Sequence, residues 1–275
     1  MATAAPVLPA IPLIRSEAGR LAAWFRAFGE ADWRKPSFCP GWSAAHVVGH
    51  MILGSRFYRS VVESGLAGRV ALPFGLETRE EFQKARISMM EELAALSDEE
   101  RVAAFEEGMR DLIGVYEALR PEDLEKGAWH RRGTLAIRYF VNQRLYELLL
   151  HEWDIRNAPG ASLHEEALGA AGDILTERFP MFYNFAPDPG LEGAFRFETT
   201  DAPRAWGIEI REGRGAPCPA EGREFAASLF GPTSRLILLA TGRAEAPAEE
   251  AAGRLRIEGD RARAEALLAV LFRPI

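Results

Sequence analysis

The strongest constraint on the fold of this chain is a change of hydrophobic pattern near residue 160. Before that point, four long segments carry apolar residues every three or four positions, the spacing of helices that bury one face. After Pro159, the segments "AFRFETT" and "WGIEIRE" alternate apolar and polar residues, as half-buried strands do. We therefore expect an α+β chain, with a four-helix bundle over residues 1–160 and a smaller α+β domain over residues 161–275.

Start and stop signals locate the four bundle helices. The first is expected over Leu13–Phe28, and the second begins with Ser43 as its N-cap. Ser97, with a glutamate three residues later, is a capping-box pattern that begins the third helix. The fourth is expected over about Thr134–Asn157, whereas residues 66–85 are less regular and are expected to cross over the bundle.

The second domain is expected to mix strands with helices. One helix is predicted at His164–Arg178, and "APDPG" then breaks the chain before the two alternating strands. "REFAASLFG" is interpreted as a third strand, and "PTSRLILLATGR" as a helix that starts at Pro232 and ends at Gly242. "RLRIEG" is a short strand, and Asp260 caps a last helix through Phe272.

Charge and composition exclude several classes of function. The net charge of −7 argues against nucleic acid as a partner, because phosphate binding requires a concentrated basic face. No apolar run is long enough to span a membrane, and the proline-rich start is a poor signal peptide. The two cysteines, Cys39 and Cys218, suggest neither a disulfide framework nor a thiolate zinc site. We expect a reduced, cytoplasmic protein.

The stretch "LYELLLHEWD" places polar side chains within an otherwise apolar helix. On a helical wheel, Glu147, His151, Asp154 and Gln143 form one stripe, and a second polar group lies on the opposite side, namely Arg138, Glu152 and Arg156. Because a bundle helix needs only one solvent face, one stripe is expected to face the interior or a cavity. The alternative is that Glu147 and His151 form an exposed pair one helical turn apart.

A second histidine pair lies on another predicted helix. "HVVGH" places His46 and His50 one turn apart, and the spacing does not decide which of them points inward. Two histidines and a glutamate with an open fourth position are the ligand set of many catalytic zinc sites. The patterns therefore suggest a divalent metal, with zinc favoured because the candidate ligands are nitrogen and oxygen and no thiolate is expected nearby. The alternative to a metal ligand is a buried histidine whose ring nitrogens are hydrogen-bonded within the core.

The two stretches together resemble a known family. "CPGWSAAHVVGHM" and "YELLLHEWDIRNAPG" are similar to the signatures of the mycothiol-dependent maleylpyruvate isomerase family, part of the DinB-like group of metal-binding four-helix bundles. The downstream half resembles that family's sterol-carrier-like C-terminal domain. The resemblance implies His50, Glu147 and His151 as metal ligands, with His46 either beside the site or merely exposed. It gives Trp42 a packing role, and it makes Asp154 either a partner of a ligand histidine or a local cap.

The resemblance also implies an activity and its partners. A small thiol such as mycothiol would be the cosubstrate and would bind at the metal as a thiolate. The reaction would be the isomerisation of maleylpyruvate or a related small anionic substrate. An S-transferase and a non-catalytic metal-binding regulator are the alternatives. Arg243, in "ATGR", is the candidate catalytic residue from the C-terminal domain, with Arg86 and Arg144 as further candidates for binding a carboxylate. The oligomeric state, monomer or homodimer, stays open.

Overall fold

The structure is a computed structural model that describes residues 7–271 of the chain. It divides into two compact units, with the division between Ala158 and Pro159. No helix in the described range is both long and apolar enough to cross a membrane. The α+β class, with a mostly helical first part and a smaller part that contains a sheet, is confirmed.

The first unit is a four-helix bundle with additions. Four long helices pack against one another so that each has two neighbours in the bundle; they are α1 (Ala10–Arg26), α3 (Ala44–Leu66), α5 (Asp98–Glu117) and α6 (Ile137–Arg156). A short helix α2 (Glu30–Arg34) connects the first pair. Helix α4 (Arg79–Ala94) packs against α3, as does a hairpin formed by β1 (Gly127–His130) and β2 (Gly133–Ala136).

The helix starts follow the capping signals only in part. Ser97 caps α5 as expected, and its hydroxyl accepts the backbone N–H of Glu100 at 3.3 Å. Helix α4 was missed, although Thr78 caps it through Glu81 in the same way at 3.1 Å. The expected start of α6 at Thr134 is wrong, because residues 133–136 pair with β1 and Gly133 takes a φ of 120°, a conformation that favours glycine.

The second unit is a five-stranded sheet with packed helices. In the order β5-β4-β3-β6-β7, neighbouring strands are antiparallel except for the parallel pair β3 and β6. The elements in chain order are α7 (Glu165–Phe185), β3 (Gly193–Thr199), β4 (Ala205–Arg211), β5 (Arg214–Cys218), β6 (Ala227–Gly231), α8 (Thr233–Ala240), α9 (Ala246–Ala251), β7 (Arg256–Gly259) and α10 (Arg261–Leu271).

Most of these elements match the predicted strands and helices, with a few differences. Strand β5 and helix α9 were not predicted. Helix α7 continues past Arg178 to Phe185, with Pro180 inside it. The expected end of the last helix, Phe272, lies outside the described residues.

Candidate metal centre

Helices α3 and α6 bring the two predicted histidine ligands together, with the predicted glutamate one helical turn away on α6. The imidazole rings of His50 on α3 and His151 on α6 lie with their centroids 4.9 Å apart and their planes at 88°. Glu147 precedes His151 by one helical turn, and its side chain and His50 line the same cavity. The first polar stripe of α6 therefore faces the bundle interior rather than solvent.

Asp154 orients one of the two histidines. Its Oδ2 lies 2.9 Å from Nδ1 of His151, and the carboxylate is fully buried. With the carboxylate ionised, Nδ1 donates the hydrogen, which in a neutral imidazole leaves the lone pair on Nε2 for another partner. A carboxylate that holds the outer nitrogen of an imidazole is the usual companion of a metal-binding histidine.

Glu147 is held by two donors. The hydroxyl of Tyr58 donates to Oε1 at 2.6 Å, and the guanidinium of Arg144 donates to Oε2 at 3.1 Å. Burial alone would raise the pKa of Glu147, but the positive charge of Arg144, with smaller contributions that include the hydrogen bond from Tyr58, outweighs burial and holds that pKa below its ordinary value. The carboxylate is therefore ionised at neutral pH, as a metal ligand must be.

Arg144 is the counter-charge of this site, not a free binding group. Its side chain is fully buried, and besides Glu147 it donates to the carbonyl of Met51 at 3.0 Å and to the Ser55 hydroxyl at 2.8 Å. Gly54 leaves room for this arrangement, because a Cβ there would lie 3.1 Å from Arg144 Nη1 and 3.3 Å from Glu147 Oε2. The candidacy of Arg144 for substrate binding is thus replaced by a structural role.

The ambiguity between the two histidines of "HVVGH" has a geometric answer. His46 is exposed, and its Nδ1 accepts the backbone N–H of Ser43 at 3.2 Å at the start of α3. His50 lies one turn further on, inside the cavity. Burial, followed by the charge of His151, lowers the pKa of His50 to about 3, so this imidazole is neutral and has a lone pair to donate.

The chemical types of the three donors suit a divalent metal, but the carboxylate of Glu147 is held by other side chains. Two imidazoles and one ionised carboxylate suit zinc and similar ions. Over residues 7–271, however, the donor atoms of these three residues do not all lie within 4.8 Å of one another. Glu147 is engaged by Tyr58 and Arg144, so binding an ion requires a side-chain shift at this residue.

Cys39 corrects one expectation from the sequence. Its sulfur lies within 4.8 Å of donor atoms of both His151 and Asp154, so the expectation that no thiol lies near the ligands is wrong. The sequence placed Cys39 in the first signature, but periodicity could not show that the turn before α3 approaches α6. Phe38 N–H donates to the carbonyl of Asp154 at 2.8 Å and fixes that approach.

Two aromatic residues close the cavity beside His50. Trp42 packs as expected, with its ring centroid 5.5 Å from that of His50. Phe74, which the sequence gave no reason to select, also lines the cavity and has a φ of 61°, rare for a bulky residue. The hydroxyl of Ser60 accepts the N–H of Phe74 at 2.8 Å and helps to hold this conformation.

The predicted arginines lie in different places. Arg86 lines the same cavity as His50 and Glu147. Arg243 lies in the second unit just after α8, half-buried, where its Nη1 donates to the carbonyl of Thr241 at 3.1 Å. Its catalytic role stays a prediction.

Two different family models match the two parts of the chain. The family model "Mycothiol maleylpyruvate isomerase N-terminal domain" matches residues 14–156, and that of the "SCP-2 sterol transfer family" matches residues 190–272. Two crystal structures of the mycothiol-dependent maleylpyruvate isomerase are similar in fold. In one of them, the similarity covers 87% of this chain and 90% of the crystallised chain, at 14% sequence identity and a TM-score of 0.62. In the other, a mutant of that enzyme, the similarity covers 92% of this chain and 93% of the crystallised chain, at 13% sequence identity and a TM-score of 0.64. No curated protein matches the chain.

Proposed function

The chain belongs to the mycothiol maleylpyruvate isomerase family, and we propose that it is a metal-dependent enzyme that uses a small thiol to isomerise an unsaturated acid. The family expected from the two motifs is thereby confirmed. Maleylpyruvate is the proposed substrate and mycothiol the proposed thiol. The proposed metal ligands are His50, Glu147 and His151, and zinc is the proposed ion.

One observation carries this proposal. The ring centroids of His50 and His151 lie 4.9 Å apart, and His50 lines a cavity together with the ionised carboxylate of Glu147, in the part of the chain that the family model matches. Asp154 is hydrogen-bonded to His151, and Arg144 is paired with Glu147. Partners of this kind are typical of side chains that bind a metal and are not needed by polar residues that only fill a core. Buried charges without such support are costly, so this arrangement is expected to have a function.

The protein's residues hold and orient the reactants. A bound divalent ion supplies the positive charge that favours the thiolate form of a small thiol. Asp154 keeps Nε2 of His151 available, and Tyr58 and Arg144 keep Glu147 ionised. The thiolate sulfur adds to one carbon of the cis double bond, and the electron pair moves onto the conjugated carbonyl. After rotation about the new single bond, the C–S bond breaks, and the trans double bond and the thiolate form again.

Arg243 is proposed as a contribution of the second unit to the anionic thiol or substrate. Losing a charge-assisted contact to a carboxylate typically changes a binding constant by about 10- to 150-fold. We expect Arg243→Ala to keep the fold and the metal and to raise KM or lower kcat. Unchanged kinetics in this variant would remove Arg243 from the site.

A metal assay and a kinetic assay test the function together. We expect one divalent ion per chain by elemental analysis, strongly reduced in His151→Ala and retained in His46→Ala, the matched control on the neighbouring motif. The metal-loaded protein should convert maleylpyruvate only when mycothiol is added. Equal metal content in wild type and His151→Ala would contradict the ligand assignment, and full turnover without thiol would contradict the cosubstrate.

The fate of the thiol separates the proposed isomerase from its alternatives. An isomerase releases the thiol unchanged, so the free thiol concentration stays constant while the trans product accumulates. An S-transferase consumes one thiol per electrophile. Bound metal without turnover of any thiol and electrophile tested would favour the non-catalytic alternative.

A further inference from the structure

The cavity beside the candidate metal centre has an apolar wall of aromatic rings. Phe57 on α3, Phe82 on α4 and Trp129 on β1 lie with their ring centroids 5.3 to 6.1 Å apart. The cavity encloses about 160 Å³. An engineered cavity of about 150 Å³ in another protein binds benzene, so this space is suited to a small, flat, apolar group.

Two arginines face the same cavity. Arg86 on α4 and Arg131, in the turn after β1, both line it. Neither guanidinium has a hydrogen bond or an ion pair to protein within residues 7–271. Burial of part of the side chain, followed by the positive charge of Arg86, lowers the pKa of Arg131. The negative charge of Glu147 offsets this effect only in part, because the pKa of Arg131 is lowered overall. Both arginines are exposed, so their guanidinium groups are open to a ligand from solvent.

The other titratable groups around the cavity do not compensate for these two charges. Burial, followed by the charges of Arg132 and Arg131, lowers the pKa of His130 to about 3, so it is neutral. Glu147 is the one carboxylate among the residues that line the cavity, and Arg144 already balances it. The cavity therefore carries an excess of positive charge next to an aromatic wall.

We propose that Arg86 and Arg131 bind the carboxylate of the electrophilic substrate, and that Phe57, Phe82 and Trp129 pack against its flat, unsaturated carbon chain. A guanidinium fork matches a carboxylate in geometry, and the aromatic wall excludes heavily hydrated anions. The inference rests on the proposed function, and it adds the residues that determine specificity: through them a planar carboxylate is selected over a neutral electrophile of the same shape. Arg131 and Arg86 determine specificity and leave the thiol chemistry to the metal centre.

Binding of unreactive probes tests this subsite without any turnover. Benzoate and benzamide have the same flat ring and differ in charge, and their dissociation constants for the full-length protein are measurable by ligand-observed NMR. We expect benzoate to bind about tenfold or more tightly than benzamide. Arg131→Gln and Arg86→Gln should each weaken benzoate about tenfold and leave benzamide unchanged. Arg131→Lys, which keeps the charge but not the fork, should fall between the two.

The matched control is Arg132→Gln, because Arg132 is adjacent in sequence and is not among the residues that line the cavity. It removes one positive charge from the same turn and should leave benzoate affinity within about twofold of wild type. Metal content is measured in every variant, since a carboxylate bound only to the ion would not respond to Arg131→Gln. In the kinetic assay, Arg131→Gln should raise KM for the acid with a smaller change in kcat.

The outcomes separate this inference from the proposed function. Equal affinities for benzoate and benzamide, or benzoate binding that survives in the Arg131→Gln and Arg86→Gln double variant, would overturn the subsite. Loss of benzoate affinity in Arg132→Gln as large as in Arg131→Gln would also overturn it, because the effect would then be one of general charge. Arginine-dependent benzoate binding in a protein without thiol-dependent turnover would support the subsite and refute the isomerase.

Discussion

Replacing Arg144 with methionine is expected to destabilise the bundle strongly. The substitution keeps an unbranched side chain of similar length but leaves the carboxylate of Glu147 without its cation, in a site where the side-chain exposures of Arg144 and Glu147 are 0% and 15%. Breaking a buried ion pair from one side costs about 3–5 kcal/mol. The hydrogen bonds to Met51 and Ser55 are lost as well, whereas the apolar methionine recovers part of this cost. We expect a loss of about 3 kcal/mol.

Urea denaturation followed by tryptophan fluorescence measures this loss. Trp206 is the one tryptophan of six outside the first unit, so the signal reports mainly on the bundle. A chelator is present throughout, so that the proposed metal makes no contribution to the stability. The change is read from the midpoint, at unchanged slope, near neutral pH.

A double-mutant cycle gives the prediction its control. Glu147→Gln removes the charge that needs Arg144, so adding Arg144→Met to it should cost much less than Arg144→Met alone. We expect a coupling free energy of about 2 kcal/mol or more between the two residues. Additive costs, or a loss below about 1 kcal/mol in Arg144→Met, would refute the argument that Arg144 is the counter-charge of a buried carboxylate.

Three further variants test the surroundings of the site. Asp154→Asn should lower metal affinity about 10- to 100-fold in a competition assay with a chromophoric chelator, because the carboxylate no longer orients His151; unchanged affinity would contradict that role. Glu152→Gln should be less stable than wild type at neutral pH. Arg20 and Arg156 outweigh burial and hold the pKa of Glu152 below its unfolded value of about 4.3, so the difference should fade as the pH drops below that value; a constant difference would contradict this. Cys39→Ser should keep most thiol-dependent activity, whereas its loss together with the metal would make Cys39 a ligand.

The helices that were predicted from the sequence are those that bury one face, because the buried positions then show a regular pattern of apolar residues. Helix α5 has both a capping box and apolar residues on one face, and its start at Asp98 followed from them. Helix α4 buries only Phe82 and Leu93, so its apolar pattern is too sparse to predict a helix, and only Thr78 and Glu81 mark its start. The hairpin before α6 has two strands of four residues each, too short for an alternating pattern to stand out.

The candidate site was accessible from the sequence only where both partners lie on one helix. The spacing on α6 placed Glu147 and His151 on one face, and the structure keeps them there. The choice between His46 and His50 depends on a contact with Ser43, which spacing does not contain. Arg131 was missed because "HRRG" has two adjacent arginines, and only the geometry of the turn decides which of them lines the cavity.

The two polar stripes of α6 now have separate physical explanations. On one side, each proposed ligand has a partner three residues away on the same helix: Arg144 for Glu147, and Asp154 for His151. On the other side, Glu152 is almost fully buried and forms an ion pair with Arg20 of α1, with Nη1 and Oε1 2.8 Å apart. Glu152 of the second stripe therefore joins α6 to α1, whereas Glu147 of the first stripe lines the cavity. Tyr58, Met51 and Ser55 of α3 also hold Glu147 and Arg144, so the packing of α6 against α3 completes the arrangement of the first stripe without a metal.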